Sequence, residues 1–445
     1  MRVGVSQRRI RAFFHRICAA ALSAADPAKA IRRFVRREGT SLRVGQRVYD
    51  LQRHPRVVAV GAGKASARMA WALERVLGNR LDAGLVVVKY GHAAPTDKIE
   101  IMEAGHPVPD RAGERAASKL LTLVGGLTSN DLLIVILSGG ASSLLPAPVP
   151  GLSLADKQTA TQLLLASGAT IQETNAVRKH LSAIKGGRLA AATQARVISL
   201  ILSDVIGDDL AAIGSGPTAP DPTTYDEACA ILRCYDIWNA MPTPVRRHLS
   251  AGAAGRVAET PKPGSPVFRR VQNLIIGNNR AAVEAAARAV KTTGITSAIL
   301  TTTLTGEARE AAKVFGSIAR EIVSDDRPFR RPYCLIAGGE LTVTVRGGGR
   351  GGRCQEFALA SALEIAGLPN VWLAGFATDG TDGPTEAAGA VADGRTVLRA
   401  ARVGLDAARA LRDNDAYPFF QKLNAHIVTG PTGTNVNDLY VLVCV

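Results

Sequence analysis

The 445-residue chain has few aromatics, few lysines and no surplus of acids. Aromatic residues make up 4% of it, too few to interleave with the basic segments as stacking platforms for single-stranded nucleic acid. That counts against nucleic acid as the partner of its +16 net charge, carried by 54 bases against 38 acids. No apolar run approaches the roughly 20 residues of a spanning helix, and no continuous apolar segment marks a secretory signal, so no membrane partner is expected. The six cysteines, Cys18, Cys229, Cys234, Cys334, Cys354 and Cys444, form no Cys-x-x-Cys pair, and no His stands at metal-ligand spacing. Free thiols point to a reducing compartment, the cytoplasm. Small anionic substrates remain as the partners that the charge fits.

The remaining composition, 47% hydrophobic and 21% charged, is that of a soluble globular protein, and the length suggests two or three domains. Residues 1–37 hold nine Arg and one acid, Asp26. That bias is also seen in organellar targeting segments, but Ile10, Phe13, Phe14, Ile17, Cys18 and Ala21 recur at helical spacing. An amphipathic first helix is the preferred reading, with a second starting at Pro27. Thereafter short aliphatic runs alternate with Ala-rich helical stretches, the pattern of a parallel sheet covered by helices. Strands are expected at 56–60, 85–88, 132–137 and 197–202, and helices at 64–77, 111–124, 153–167 and 175–192. Residues 251–266 (AGAAGRVAETPKPGSP) have no apolar periodicity and suggest a domain boundary, with domains over 1–255 and 265–445. Strands at 273–276, 296–300, 333–337, 342–345, 371–376 and 439–443, with three interspersed helices, form the second α/β series.

Four constellations carry chemistry. After the first strand, Gly61-Ala62-Gly63-Lys64 presents backbone N–H groups and a helix start to an anion. It lacks the Walker spacing, and Ser66 stands where a dinucleotide fingerprint needs its third Gly. An anion site and tight packing both remain open. Ser138-Gly139-Gly140-Ala141-Ser142 follows the most apolar strand and suits phosphate or carboxylate; a nucleophile elbow would need Gly-x-Ser-x-Gly. Acids stand at strand ends: Asp204, Asp208 and Asp209, then Glu340, then Asp379 and Asp382. They suit Mg²⁺ held by one or two carboxylates, or a base for a substrate hydroxyl, while Asp209 and Asp382 equally fit turn and cap roles. Finally, Arg346, Arg350 and Arg353 lie among five glycines, with Arg353 at a helix start. Arg178, Lys179 and His180 sit on a basic helix that could equally be a solvated face. His106, in a proline-flanked loop, could orient a substrate or make a structural hydrogen bond.

Nine ordered strings resemble the glycerate 2-kinase family whose C-terminal half is the MOFRL domain. They are GAGKAS (61–66), GHPVPD (105–110), LSGGASSLLPAP (137–148), ETNAVRKHLSAIKGGRLA (173–190) and LSDVIGDDLAAIGSGPT (202–218). GGELTVTV (338–345), GGRCQE (351–356), ATDGTDGPTEAAGA (377–390) and TGTNVNDLYVLV (432–443) complete the series. Two departures stand out: Ala141 replaces a usual Gly, and Cys354 a usual Asn.

The resemblance implies ATP- and Mg²⁺-dependent phosphorylation of D-glycerate at its 2-hydroxyl, giving 2-phosphoglycerate. It also implies a Rossmann-like N-terminal α/β/α domain, a smaller MOFRL-type α/β domain and an active site in the cleft between them. Lys64 and Arg353 fall on the family's catalytic positions, and Asp204 or Asp379 is the expected base. Gly61, Gly63, Ser138, Gly139, Gly140 and Ser142 are expected at phosphate or substrate, with Arg178, Asn278 and Glu340. Asp204, Asp208 and Asp379 are the expected metal carboxylates. A monomer or homodimer is expected. The rival reading is an NAD(P)H-dependent hydroxypyruvate reductase, for which Asp82 would be the ribose-binding acid.

Overall fold

A computed structural model describes residues 7–445. The chain forms two compact units, Pro27–Ile276 and Gly277–Val445, the second also taking in the described residues up to Asp26.

The first unit is built on six strands: β1 (Val57–Ala62), β2 (Ala83–Lys89), β3 (Ile99–Ala104), β4 (Leu132–Leu137), β5 (Arg196–Leu202) and β6 (Val271–Gly277). Their spatial order is β3-β2-β1-β4-β5-β6, and the first five pair in parallel. This is the order of a doubly wound α/β sheet, whose ligand crevice opens beyond the carboxyl ends of β1 and β4. Every residue of β1 (VVAVGA) and β4 (LLIVIL) is buried, because helices cover both faces of such a sheet. Helix Arg111–Gly125 lays Ala116, Ala117, Leu120 and Val124 on the core. Asp110 starts it by accepting the Gly113 N–H. A separate cluster around Leu164, Val177, Leu232 and Leu249 joins helices Leu154–Ala166, Ile171–His180, Tyr225–Cys234 and Thr243–Ala253. Residues 35–50 form a three-stranded antiparallel meander.

The second unit has strands β7 (Thr296–Leu304), β8 (Tyr333–Gly339), β9 (Val371–Ala377), β10 (Gly389–Asp393), β11 (His426–Ile427) and β12 (Asp438–Cys444), ordered β7-β8-β12-β9-β10-β11. Only β7 and β8 run parallel; β12 lies antiparallel between β8 and β9. That brings its first residue, Asp438, opposite Gly339 and Ala377 at the carboxyl ends of both neighbours.

The chain divides at 276/277 rather than in the 255–265 linker. β6 follows that linker yet completes the first sheet, where Asn273 exchanges hydrogen bonds with Thr218. The Gly/Pro-rich segment is thus a loop inside the first unit. Conversely, helix Gln7–Ala25 belongs to the second unit: it packs on helix Asn279–Lys291 and buries Ile10, Phe14, Ile17, Cys18 and Ala21. Three local expectations also differ. Residues 342–345 contain a single bridge, Thr342 with Glu307, and no strand. The helix expected over 175–192 ends at His180, and a new helix starts at Arg188 directly after Gly186 and Gly187, which both take positive φ. β3, β10, β11 and the meander were absent from the expected series: acids interrupt IEIMEA in β3, and β10 (GAVAD) is short and Ala-rich.

Candidate active site

In the first unit the turns after β1 and β4 are tied together. The Lys64 N–H donates to Gly139 O (2.8 Å) and the Ser138 N–H to Ala62 O (3.1 Å). The Ser138 hydroxyl, fully buried, accepts the Ala65 N–H (3.1 Å) and pairs with Ser66 Oγ (2.9 Å). Gly63, at φ +139°, has no room for a side chain, because a Cβ would fall on Ser138. Gly61 lies inside β1 against the Ile136 carbonyl and serves packing. Helix Ser66–Leu77 starts two residues beyond Lys64. The Lys64 ammonium makes no hydrogen bond or ion pair with any described residue. Beside it, the His106 ring rests against Gly140. Burial, with Lys64 and Lys89 nearby, pushes His106 down to about 4, so it is a neutral imidazole at physiological pH.

Ser142 lies two residues on. Its hydroxyl accepts from Arg178 Nη2 (2.7 Å) and Lys185 Nζ (3.0 Å), and pairs with Ser215 Oγ (2.9 Å). Ser215 donates its one proton to Asn175 Oδ1 (3.1 Å), so Ser142 donates to Ser215 and its own capacity is filled. Lys185, 1% exposed, also donates to Ser142 O (2.6 Å). Burial, with Arg178 and Lys157 close by, holds its ammonium well below the ordinary lysine range. The basic helix is therefore no solvated face. Lys179 is locked to Asp221 (3.2 Å), and His180 to Ala176 O and Glu259.

Asp204 follows β5 and leans over the second turn; a Cβ on Gly139 would fall on its carboxylate. Asp208, half-buried, stands in the same strand-end loop at φ +59°. Asp209 accepts the Ala211 N–H and takes the turn role. Asp82 accepts the Val57 N–H (2.7 Å) at the amino end of β1, the end of the sheet opposite the glycine turns, and so cannot serve as a ribose-binding acid there.

In the second unit, helix Arg353–Glu364 places Arg353 in its first turn. The guanidinium grips Asp438 through Nε (2.5 Å) and Nη2 (3.1 Å), and Glu340 through Nη1 (2.6 Å). Burial works against its charge, but the two carboxylates outweigh that and raise its pKa. Tyr440 OH also donates to Asp438 (2.9 Å). Asp382 takes the cap role: it accepts from the Cys354 N–H (3.0 Å) and Gln355 N–H (2.8 Å), and burial pushes it up to about 6. Cys354 is wholly buried and can touch no ligand. Asp379 accepts the Thr381 N–H (3.1 Å) in a turn. Asn278 caps helix Asn279–Lys291 through Ala281. Arg346 and Arg350 belong to a loop anchored by Asn414 and Asp415, with Arg350 over the Tyr417 ring.

The first unit thus gathers Lys64, Gly63, Gly139, Gly140, Asp204 and Arg178 around one strand-end region, and the second gathers Arg353, Glu340 and Asp438. Sequence reasoning assigned no role to Lys185 or Asp438; an acid opening the apolar strand DLYVLVC was the available signal. The hydroxyls of Ser138 and Ser142, expected on ligand, are spent inside the protein. Among the described residues no cluster of three or more His, Cys, Asp or Glu is arranged to hold a metal.

Two family models match: a domain of unknown function, DUF4147, over residues 13–250, and the MOFRL family over 333–438. The glycerate 2-kinase of Pyrococcus horikoshii is 41% identical over 98% of this chain and 97% of its own. An Agrobacterium vitis protein provisionally named a hydroxypyruvate reductase is 42% identical over 96% of this chain and 93% of its own. The crystal structure of a Thermotoga maritima glycerate kinase superposes with a TM-score of 0.88 at 40% identity, covering 98% of this chain and 100% of that one.

Proposed function

Because this chain belongs to the glycerate 2-kinase family, phosphotransferases with an alcohol group as acceptor, we propose that its residues transfer the γ-phosphoryl group of ATP to the 2-hydroxyl of D-glycerate. The observation that carries this reading is the unpaired Lys64 ammonium beside two linked glycine turns at the switch point of the sheet. Phosphoryl transfer asks for positioning and for charge neutralisation around the transferring group, and little covalent chemistry. The N–H groups of the first turn are taken within the protein, so Gly139 and Gly140 of the second turn supply backbone N–H groups to phosphate, and Lys64 supplies charge to the equatorial oxygens. Asp204 takes the hydroxyl proton. In the second unit Arg353 has three of its five N–H groups bound and two free, so it serves to orient a ligand group rather than to add net charge.

Mg²⁺ suits oxygen donors and needs only one or two carboxylates beside the nucleotide's phosphates. Asp208, in the same strand-end loop as Asp204, is the carboxylate there that fits it. Bound there, the ion would offset charge on the transferring oxygens. The reductase reading loses its ribose acid, because Asp82 is tied to the far end of β1. The reading places the enzyme in the cytoplasm, where its thiols, five of six buried, stay reduced.

The test is a pair of assays on the purified chain: ADP release with D-glycerate and ATP, and NADH or NADPH oxidation with hydroxypyruvate. ADP release with no reduced-nucleotide oxidation is expected, and the opposite result would overturn the reading.

A further inference from the structure

Two cations held inside the molecule carry their own counter-ions. Lys179 pairs with Asp221, and Arg309 with Glu356. Arg178, Lys185 and Lys157 do not: among the described residues, none has a carboxylate within salt-bridge distance. Lys185 and Lys157 are nearly fully buried, at 1% and 8% exposure. Lys157 spends its ammonium on Ala147 O and Leu181 O. Gathering three basic side chains without an acid disfavours the charged forms of the two buried lysines, and an anion at Arg178 would offset that. Arg178 and Lys179 are neighbours on one helix, so the chain supplies a counter-ion to one and withholds it from the other.

Arg178 is the member that can reach a ligand. Only Nη2 is bonded, to Ser142, and none of its other nitrogens is a buried orphan. They therefore keep some solvent contact in a half-buried residue, with donors to spare. Ser142 fixes the orientation of the guanidinium, and Lys185 behind it holds Ser142 in place through its carbonyl and hydroxyl.

Resting on the kinase reading above, we infer that Arg178 is the fork that binds the carboxylate of the hydroxy-acid substrate, with Ser142 and Lys185 as its positioning residues. Connectivity favours the acid's carboxylate over a nucleotide phosphate. In a 2-hydroxy acid the accepting hydroxyl sits on the carbon bonded to the carboxylate, so the carboxylate subsite must adjoin the phosphoryl turn. Ser142 lies two residues from Gly140, which touches Lys64. A planar fork also binds a carboxylate through two parallel hydrogen bonds, which a point charge cannot do.

The experiment uses the full chain with Arg178→Gln, Arg178→Lys and Ser142→Ala. KM for D-glycerate should rise ~100-fold in Arg178→Gln, the usual scale for truncating a hydrogen-bonded charge partner. Arg178→Lys, which keeps the charge and loses the fork, should give ~10-fold, and Ser142→Ala ~5-fold. KM for ATP should stay within ~2-fold throughout, a split that a general structural defect would not produce. Independently of turnover, sodium D-glycerate without nucleotide should raise the wild-type Tm and leave that of Arg178→Gln unmoved. An unchanged glycerate KM in Arg178→Gln and Arg178→Lys, a parallel rise in both KM values, or an equal Tm response would overturn the inference. A wild type that releases no ADP but still shows the Arg178-dependent Tm rise would sink the kinase reading alone.

Discussion

Each unit brings one cation to a strand-end turn, and the two are treated in opposite ways. Lys64 stands at the end of β1 with no acid against it, on a turn whose backbone N–H groups are bonded to neighbouring strands and the Ser138 turn. Arg353 stands at a helix start with Asp438 and Glu340 both within hydrogen-bond distance, a cluster of net charge −1. An unpaired ammonium is a point charge with three free donors, free to follow an anion; a guanidinium held by two carboxylates is fixed in direction with its charge already offset. The first arrangement favours binding of a phosphoryl group, and the second favours orientation.

The comparison breaks most sharply at Lys64. Lys64→Ala should lower kcat by ~10³-fold, the scale of a removed electrostatic stabiliser, with an unchanged far-UV spectrum, because no described residue depends on its ammonium. Steady-state ADP release checks it, and turnover within threefold of wild type would leave the turn as packing only. Asp438→Asn should act on stability as well as rate. It leaves Glu340 as the one charged partner of Arg353 and breaks a mostly buried ion pair, costing ~3 kcal/mol, read as a lower denaturation midpoint. A variant as stable as wild type would mean that the pair does not hold Arg353.

A third test concerns the unpaired cations of the first unit through pH. Burial, reinforced by Arg178 and Arg188, pushes Lys157 down to about 7 from its ordinary 10.5. Below pH 7 the folded chain bears the full cost of the buried charge. Between 7 and 10.5 the unfolded chain holds the proton that the folded one has released, so stability rises with pH by up to ~1.4 kcal/mol per unit. Lys157→Met should flatten that rise in denaturation midpoints measured between pH 7 and 9; an identical slope in both proteins would refute it.

Much of the first site was legible in the sequence because it is made of backbone. Gly61-Ala62-Gly63-Lys64 and Ser138-Gly139-Gly140 are contiguous, and a strand followed by a glycine turn dictates where their N–H groups go. What stayed hidden depends on pairing between distant segments. Asp438 joins Arg353 only because β12 inserts antiparallel between β8 and β9, and nothing local announces that neighbour. β6 looked like the opening of a new domain because the Gly-, Ala- and Pro-rich segment 251–266 precedes it, yet its partner is β5. Hydroxyl direction was equally out of reach: Ser138 and Ser142 look exposed in a glycine-rich string, and both turn inward to tie elements together.

The smallest expected effect is the most discriminating between the two cations. Glu340 is 42% exposed, so its pair with Arg353 is worth only ~0.5 kcal/mol, and Glu340→Gln should unfold like wild type. Its charge nevertheless makes the Arg353 cluster net negative. Glutamine can still accept the Nη1 hydrogen bond while removing that charge, bringing the cluster to neutrality with the geometry kept. If Glu340 serves to offset Arg353, an anionic ligand is then repelled less, and KM for ATP should fall ~2-fold with kcat within ~3-fold. If Glu340 instead binds a substrate hydroxyl directly, KM for D-glycerate rises while that for ATP stays put. Measuring both constants on one variant decides whether the second unit's cation is held in check by its neighbour or merely shares a site with it.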